Sequence, residues 1–282
     1  MSSDSGPLAD PVVGPEAGQG SLRVAVVQEA SGLDVDANRA RLRDLVPDAT
    51  DLVVFPEAFA RDFGEPGSDL GGCAEDLDGP FVSAVAEVAH EKDTTVLAGM
   101  FERSADSARP HNTLVMRGRA TAAYRKIHLY DSFGYRESDA LSAGDPIPVT
   151  VEVAGFRVGL MTCYDLRFPE LARALVDQGA EVLVVPAAWV AGPRKLDHWR
   201  TLVRARAIEN TVFVVAAAQP GPRYTGHSLI VDPQGEVLAE AEDGAAVLRA
   251  TLTRSVLEEA RAVNPSLANR RLRSGSPAAA GY

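Results

Sequence analysis

Three polar side chains close apolar runs in this chain. Glu57 follows "DLVVFP", Lys126 closes "RATAAYRK", and Cys163 follows "FRVGLMT". A carboxylate, an ammonium and a thiol are the parts of thiol-based acyl transfer. The thiol needs a base to become a thiolate, and the oxyanion that then develops needs donors aimed at it. A desolvated Glu57 would be the base and Lys126 a cationic donor. The backbone N–H of Tyr164, at a strand-to-helix turn, would be a second donor. Each residue also has a plainer reading. A Cys ending an apolar strand is more often packing, Glu57 would cap a helix starting at Ala58, and Lys126 would guard an edge strand. His128 suggests a Cys/His pair but is isolated. From spacing alone the plainer reading of Cys163 carries the greater weight.

The elements that must position these groups alternate along the chain. Continuous apolar runs at 22–28, 51–59, 94–100, 156–162, 181–186 and 211–219 read as strands covered on both faces. Helical spacing occupies 36–46, 80–93 (with Pro80 in its first turn), a segment from Phe168-Pro169, 194–210 and a last helix from about Thr253. Hairpins are expected at 112–126, turning at Gly118-Arg119, and at 227–241, turning at Pro233-Gln234-Gly235. A strand at 148–153 and another at 245–252 complete the pattern, and 127–146 reads as a long polar loop of the kind that carries function. Strand–helix alternation with interposed hairpins predicts mixed sheets covered by helices in one α/β domain over 21–272. In open α/β sheets reactive groups collect beyond the carboxyl ends of strands, where Glu57, Lys126 and Cys163 all fall.

Composition narrows the function classes. The 28 Lys and Arg against 39 Asp and Glu give a net charge of −11, which disfavours nucleic acid and anionic membrane surfaces as partners. The arginines near the end, Arg270, Arg271 and Arg273, read as tail docking or solvation. Only Cys73 and Cys163 are present, without a C-x-x-C, so neither a zinc site nor a disulfide framework is expected, and a cytoplasmic setting fits. Residues 1–20 read as a disordered leader without the apolar segment of a signal peptide or anchor, and 273–282 as a flexible tail.

"FPEAF", "YRKIHLYD" and "GLMTCYDLRFPE", in this order, resemble the three signature segments of the nitrilase superfamily of carbon–nitrogen hydrolases. Further segments resemble it at 78–82, 112–115, 133–139, 198–210 and 226–238, so that the likeness spans roughly 22–271. The resemblance implies a four-layer αββα sandwich, a Glu57–Lys126–Cys163 triad, and Glu137 in "YRES" as the second glutamate that orients the lysine. It also implies a homodimer or larger homo-oligomer paired through outer helices, and no metal or organic cofactor. The expected reaction is hydrolysis of a non-peptide amide bond in a small linear carboxamide through a thioester on Cys163.

Tyr164-Asp165 after the cysteine, where nitrile-cleaving members usually carry Trp-Glu, points to amidases of the deaminated-glutathione and omega-amidase group. N-carbamoyl amino acid hydrolysis and aliphatic amide hydrolysis remain alternatives, and a catalytically silent binding scaffold is the alternative of another class. Segments 60–77, 128–138 and 187–199 should wall the pocket. Trp189, Tyr130, Phe133, Arg194 and His198 are its candidate substrate contacts, with loop packing or solvation as their plainer roles. Arg167 and Glu170 read first as an ion pair holding the turn after Cys163, and Cys73 as incidental.

Overall fold

The computed structural model describes residues 20–272; the tail expected at 273–282, and all of the expected leader but Gly20, lie outside the described residues. In chain order the elements are β1 (Ser21–Gln28), α1 (Val35–Leu45), β2 (Leu52–Val54), α2 (Pro80–Glu91), β3 (Thr95–Glu102), β4 (His111–Gly118), β5 (Ala122–Arg125), β6 (Asp131–Ser132) and β7 (Tyr135–Arg136). The second half contains β8 (Thr150–Val153), β9 (Phe156–Leu160), α3 (Pro169–Asp177), β10 (Val182–Ala187), α4 (Lys195–Asn210), β11 (Phe213–Ala218), β12 (Leu229–Val231), β13 (Val237–Glu240), β14 (Ala246–Thr253), α5 (Arg254–Val263) and α6 (Ser266–Asn269).

Two six-stranded sheets have the orders β14-β1-β2-β3-β4-β5 and β13-β12-β11-β10-β9-β8. Each has a parallel centre, β1-β2-β3 in one and β9-β10-β11 in the other, flanked by antiparallel strands. The period-2 alternation of β1 explains how they stack. Val24 and Val26 join a core shared with Val158, Leu160, Val182 and Val184 of the second sheet. Ala25 and Val27 face the other way, into a cluster with Leu42 of α1 and Val85 of α2. On the far side, Leu171 and Leu175 of α3 and Trp199, Val203 and Ala207 of α4 cover the second sheet. The architecture is therefore the expected four-layer αββα sandwich, and every central strand is apolar on both faces because both are covered.

Local chemistry sets the boundaries. Asp34 starts α1 by accepting from the N–H groups of Asp36 and Ala37, and Pro80 opens α2 where its missing N–H costs nothing. The stretch 127–146 is more ordered than a loop. It contains the short hairpin β6–β7 and a single 3₁₀ turn at Glu137–Asp139. Cys163 does not lead directly into α3 either. A separate 3₁₀ turn, Cys163–Arg167, comes first, and extended Phe168 breaks it from α3.

Candidate active site

Glu57 sits just beyond β2, where Pro56, lacking an N–H, ends the strand's pairing. The backbone then turns sharply through Ala58 at φ 54°. Gly99 of β3 makes room for this turn: a Cβ there would lie 2.9 Å from the Glu57 Cα and closer still to the Ala58 nitrogen. The Glu57 carboxylate is buried and held from three sides. Its Oε1 accepts from Lys126 Nζ at 2.9 Å and Asn112 Nδ2 at 2.7 Å, and its Oε2 from the Ala188 N–H at 2.7 Å. Its own carbonyl accepts from Gln219 Nε2 at 2.9 Å.

Lys126 follows β5 directly, and its ammonium is 2 % exposed. It donates to Glu57 and also to both oxygens of Glu137, at 3.0 and 2.9 Å. Glu137, equally buried in the 3₁₀ turn, accepts as well from the Tyr130 N–H at 2.5 Å. Burial alone would pull the Lys126 pKa down, but the charges of Glu137 and then Glu57 push it well above the ordinary lysine value. Burial raises the Glu137 pKa, with Lys126 opposing. A cation between two carboxylates leaves this group one negative charge in excess.

Cys163 adopts φ 45°, the left-handed region, just beyond the end of β9, and is buried at the edge of the core between the sheets. Buried Asp165 fixes that elbow by accepting from the Thr162 N–H at 2.9 Å, Tyr124 Oη at 2.6 Å and the His128 N–H at 3.1 Å. His128 Nδ1 lies 2.7 Å from the same carboxylate, and the imidazole stacks on Phe168. His128 is thus committed to Asp165 and not to Cys163. Because Tyr124 and His128 flank Lys126, Asp165 ties the cysteine elbow to the lysine's strand. Burial, and next the charge of Glu57, push the Cys163 thiol well above its ordinary pKa. The free site therefore holds a neutral thiol beside a carboxylate that can take its proton. That transfer leaves the net charge of the cluster unchanged.

Glu57, Lys126, Glu137 and Cys163 line one cavity of about 600 Å³, together with Tyr130, Phe133, Tyr164 and Trp189. Tyr164 follows the cysteine in the 3₁₀ turn, whose leading N–H groups have no partner within the turn. Trp189 is a fixed wall: its Nε1 donates to the Lys195 carbonyl at 2.9 Å and its ring packs on Trp199. Phe133, at the tip of the β6–β7 hairpin, is 68 % exposed and stands at the mouth.

Arg194 and His198 do not line this cavity. Arg194 precedes α4 at φ 60° and is exposed, while Lys195 and Trp199 turn inward. One residue of helical phase, about 100°, separates the two pairs. Sequence spacing identified the segment but not which of its faces is turned inward. The Arg167–Glu170 ion pair is also absent among the described residues. Phe168 interrupts the helical spacing between them, leaving Glu170 exposed and Arg167 over the Trp189 ring at 4.8 Å. Asn112, Lys195 and Arg223 were not singled out as site residues. Asn112 lies in the "NTLV" segment already noted for its resemblance, which was the available signal. Among the described residues no group of three His, Cys, Asp or Glu side chains is arranged to hold a metal ion, and no helix is long and apolar enough to cross a membrane.

Comparison with known proteins shows which family the chain resembles. Residues 23–262 match the family model described as carbon-nitrogen hydrolase. The deaminated glutathione amidase of Escherichia coli O157:H7 is 43% identical over 224 residues, covering 78% of this chain and 84% of that protein. The 2-oxoglutaramate amidase of Paenarthrobacter nicotinovorans is 37% identical over 270 residues, 90% of each chain. The crystal structure of Saccharomyces cerevisiae Nit3, a member of branch 10 of the nitrilase superfamily, superimposes with a TM-score of 0.79 at 27% identity, covering 92% of this chain and 99% of that one.

Proposed function

Since the chain belongs to the carbon-nitrogen hydrolase family, within the nitrilase superfamily, and is a hydrolase of non-peptide carbon–nitrogen bonds, we propose that it hydrolyses the distal amide of a 2-oxo acid. 2-Oxoglutaramate and deaminated glutathione are the first substrates to try. The two share one acyl group, a five-carbon 2-oxo acid activated at its far carbonyl, and differ only in the amine that leaves. The observation that carries the reading is the thiol at the cavity wall beside a lysine gripped by two carboxylates.

In the proposed mechanism Glu57 takes the thiol proton as the Cys163 sulfur bonds to the amide carbon, and the carbonyl pair moves onto oxygen. Lys126 and the Tyr164 N–H hold that oxyanion, each such donor contributing about 10²–10³ in rate. Collapse breaks the C–N bond, and the leaving nitrogen takes the proton from Glu57. Ammonia departs from a primary amide, and a larger amine from deaminated glutathione. Glu57 then accepts a proton from water, whose oxygen attacks the thioester; as the C–S bond breaks and the acid is released, Glu57 returns that proton to the sulfur and both groups regain their starting forms. Asn112 and the Ala188 N–H aim Glu57, and Glu137 aims Lys126.

The test is product analysis across 2-oxoglutaramate, deaminated glutathione, an N-carbamoyl amino acid and butyramide. Turnover of the first two with release of the matching amine is expected. Carbon dioxide release from the carbamoyl compound, with both 2-oxo amides inert, would overturn the assignment. We further propose a homo-oligomer in a cytoplasmic setting. Subunits would pair through α3 and α4, where Ile208 is exposed, a point for sedimentation analysis. A cytoplasmic setting is supported by the unpaired Cys73 and Cys163, and fractionation would test it.

A further inference from the structure

We propose that Lys195 is the specificity-determining residue of this cavity. With Arg167 it takes the carboxylate end of the substrate's acyl group and turns away an acyl group that carries an ammonium there. The inference deepens the hydrolase reading above and depends on it for the nature of the substrate.

Two carboxylates line the cavity, Glu57 and Glu137, and both are committed to Lys126. Arg223 also lines it, but Asp62 lies 3.2 Å away and the Gly64 carbonyl accepts from the same guanidinium. Arg167 and Lys195 remain, and neither has a carboxylate partner among the described residues. The Arg167 Nε and Nη2 are shielded from solvent and bond to nothing, while the guanidinium lies against Trp189 and is 5.9 Å from the Phe133 centroid. Lys195 Nζ has one polar partner, Tyr130 Oη at 2.8 Å, and stands 3.9 Å from the Phe133 ring centroid. Burial, and then the like charge of Arg167, pull the Lys195 pKa down.

Two cations that disfavour each other across one partly dry space are both relieved by an anion between them. A cavity of about 600 Å³ has room for a five-carbon acid reaching from that anion to the thiol. A 2-oxo or unsubstituted acid presents only a carboxylate and neutral neighbours to the pair. A 2-amino acid such as glutamine also presents an ammonium. It would be a third cation, and no uncommitted carboxylate is there to receive it. Lys195 is well placed to enforce this choice. As the first residue of α4 it lies one helical turn before buried Trp199, and its carbonyl is tied to Trp189.

Binding to the full-length Cys163→Ala protein, measured by calorimetry, separates recognition from turnover. Glutaramate and 2-oxoglutaramate should bind, and L-glutamine at least about 100-fold more weakly. Adding Lys195→Met should weaken the two acids about 10–100-fold and narrow the gap to L-glutamine, and Lys195→Arg should restore most of the affinity. In the Cys163 protein, Lys195→Met should raise KM for 2-oxoglutaramate about 10–100-fold with much less change in kcat, a split that a merely structural loss would not give. Unchanged affinity in the Lys195→Met protein, a loss confined to kcat, or L-glutamine binding as tightly as 2-oxoglutaramate would overturn the inference. Lys195-dependent binding without turnover by the Cys163 protein would instead overturn the 2-oxo amide as the substrate while upholding the recognition site.

Discussion

Replacing Glu137 by Gln removes one charge from the clasp on Lys126 and almost no volume. At 2.9 Å and an effective dielectric of about 20, the Lys126–Glu137 attraction is about 6 kcal/mol. Most of that offsets the several kcal/mol that burying the carboxylate costs, a cost the amide largely avoids. The amide oxygen can still accept from the Tyr130 N–H, so the expected loss of folding stability is only about 1–3 kcal/mol. The chemical effect should be larger. With Glu137 neutral, Glu57 alone grips the ammonium, which is drawn toward it and away from the position that receives the oxyanion. We expect kcat/KM for 2-oxoglutaramate to fall about 10²–10³-fold, mainly in kcat. The alkaline limb of stability should move as well. Lys126 has a raised native pKa, so its contribution is complete below the unfolded value of about 10.4 and fades as pH rises through the native one. Glu137→Gln lowers that native pKa and should bring the alkaline loss to lower pH. Steady-state ammonia release and urea unfolding between about pH 8 and 11 measure both effects. A variant within about threefold of wild-type kcat/KM would refute the assignment of Glu137 to orienting the lysine.

Other expectations follow from the same geometry. Because burial and Glu57 raise the Cys163 pKa, the thiolate absorbance difference between wild type and Cys163→Ser should be missing at neutral pH and emerge only well above about pH 8.5. A thiolate signal at pH 7 would contradict the neutral-thiol resting state. Gly99→Ala would press a methyl group into the Glu57–Ala58 backbone, costing about 1–3 kcal/mol by denaturant titration and lowering kcat through a displaced Glu57. Asp165→Ala strips the acceptor from the Thr162 and His128 N–H groups and Tyr124 Oη, and should destabilise by about 3–5 kcal/mol. His128→Ala should keep measurable turnover, because its imidazole serves Asp165 and not the thiol.

Much of this was readable from residue order. The central strands are apolar on both faces, so their runs were unmistakable, and their carboxyl ends lead to Glu57 and Cys163. Resemblance to a known family, not spacing, joined those ends into one site, since nothing in a linear chain brings residues 57, 126, 137 and 163 together. What escaped was phase and irregularity. The left-handed residue at Arg194 delays α4 by one position, which turns Lys195 inward and leaves Arg194 outside. The helix begins at Pro169 as expected, but extended Phe168 keeps Arg167 out of it, so Arg167 and Glu170 lack the i,i+3 geometry that would have paired them. Asn112 was hidden in an otherwise apolar strand, where a buried amide reads as a neutral break until its partner, Glu57, is known.

The central claim is that Cys163 carries the acyl group. Protein mixed with 2-oxoglutaramate, quenched in acid during turnover and weighed intact, should show a fraction heavier by one 2-oxoglutaryl group, with the added mass on the peptide that contains Cys163. Cys163→Ala protein should show neither the adduct nor ammonia release. An adduct on another residue, or ammonia release by Cys163→Ala at the wild-type rate, would contradict the account.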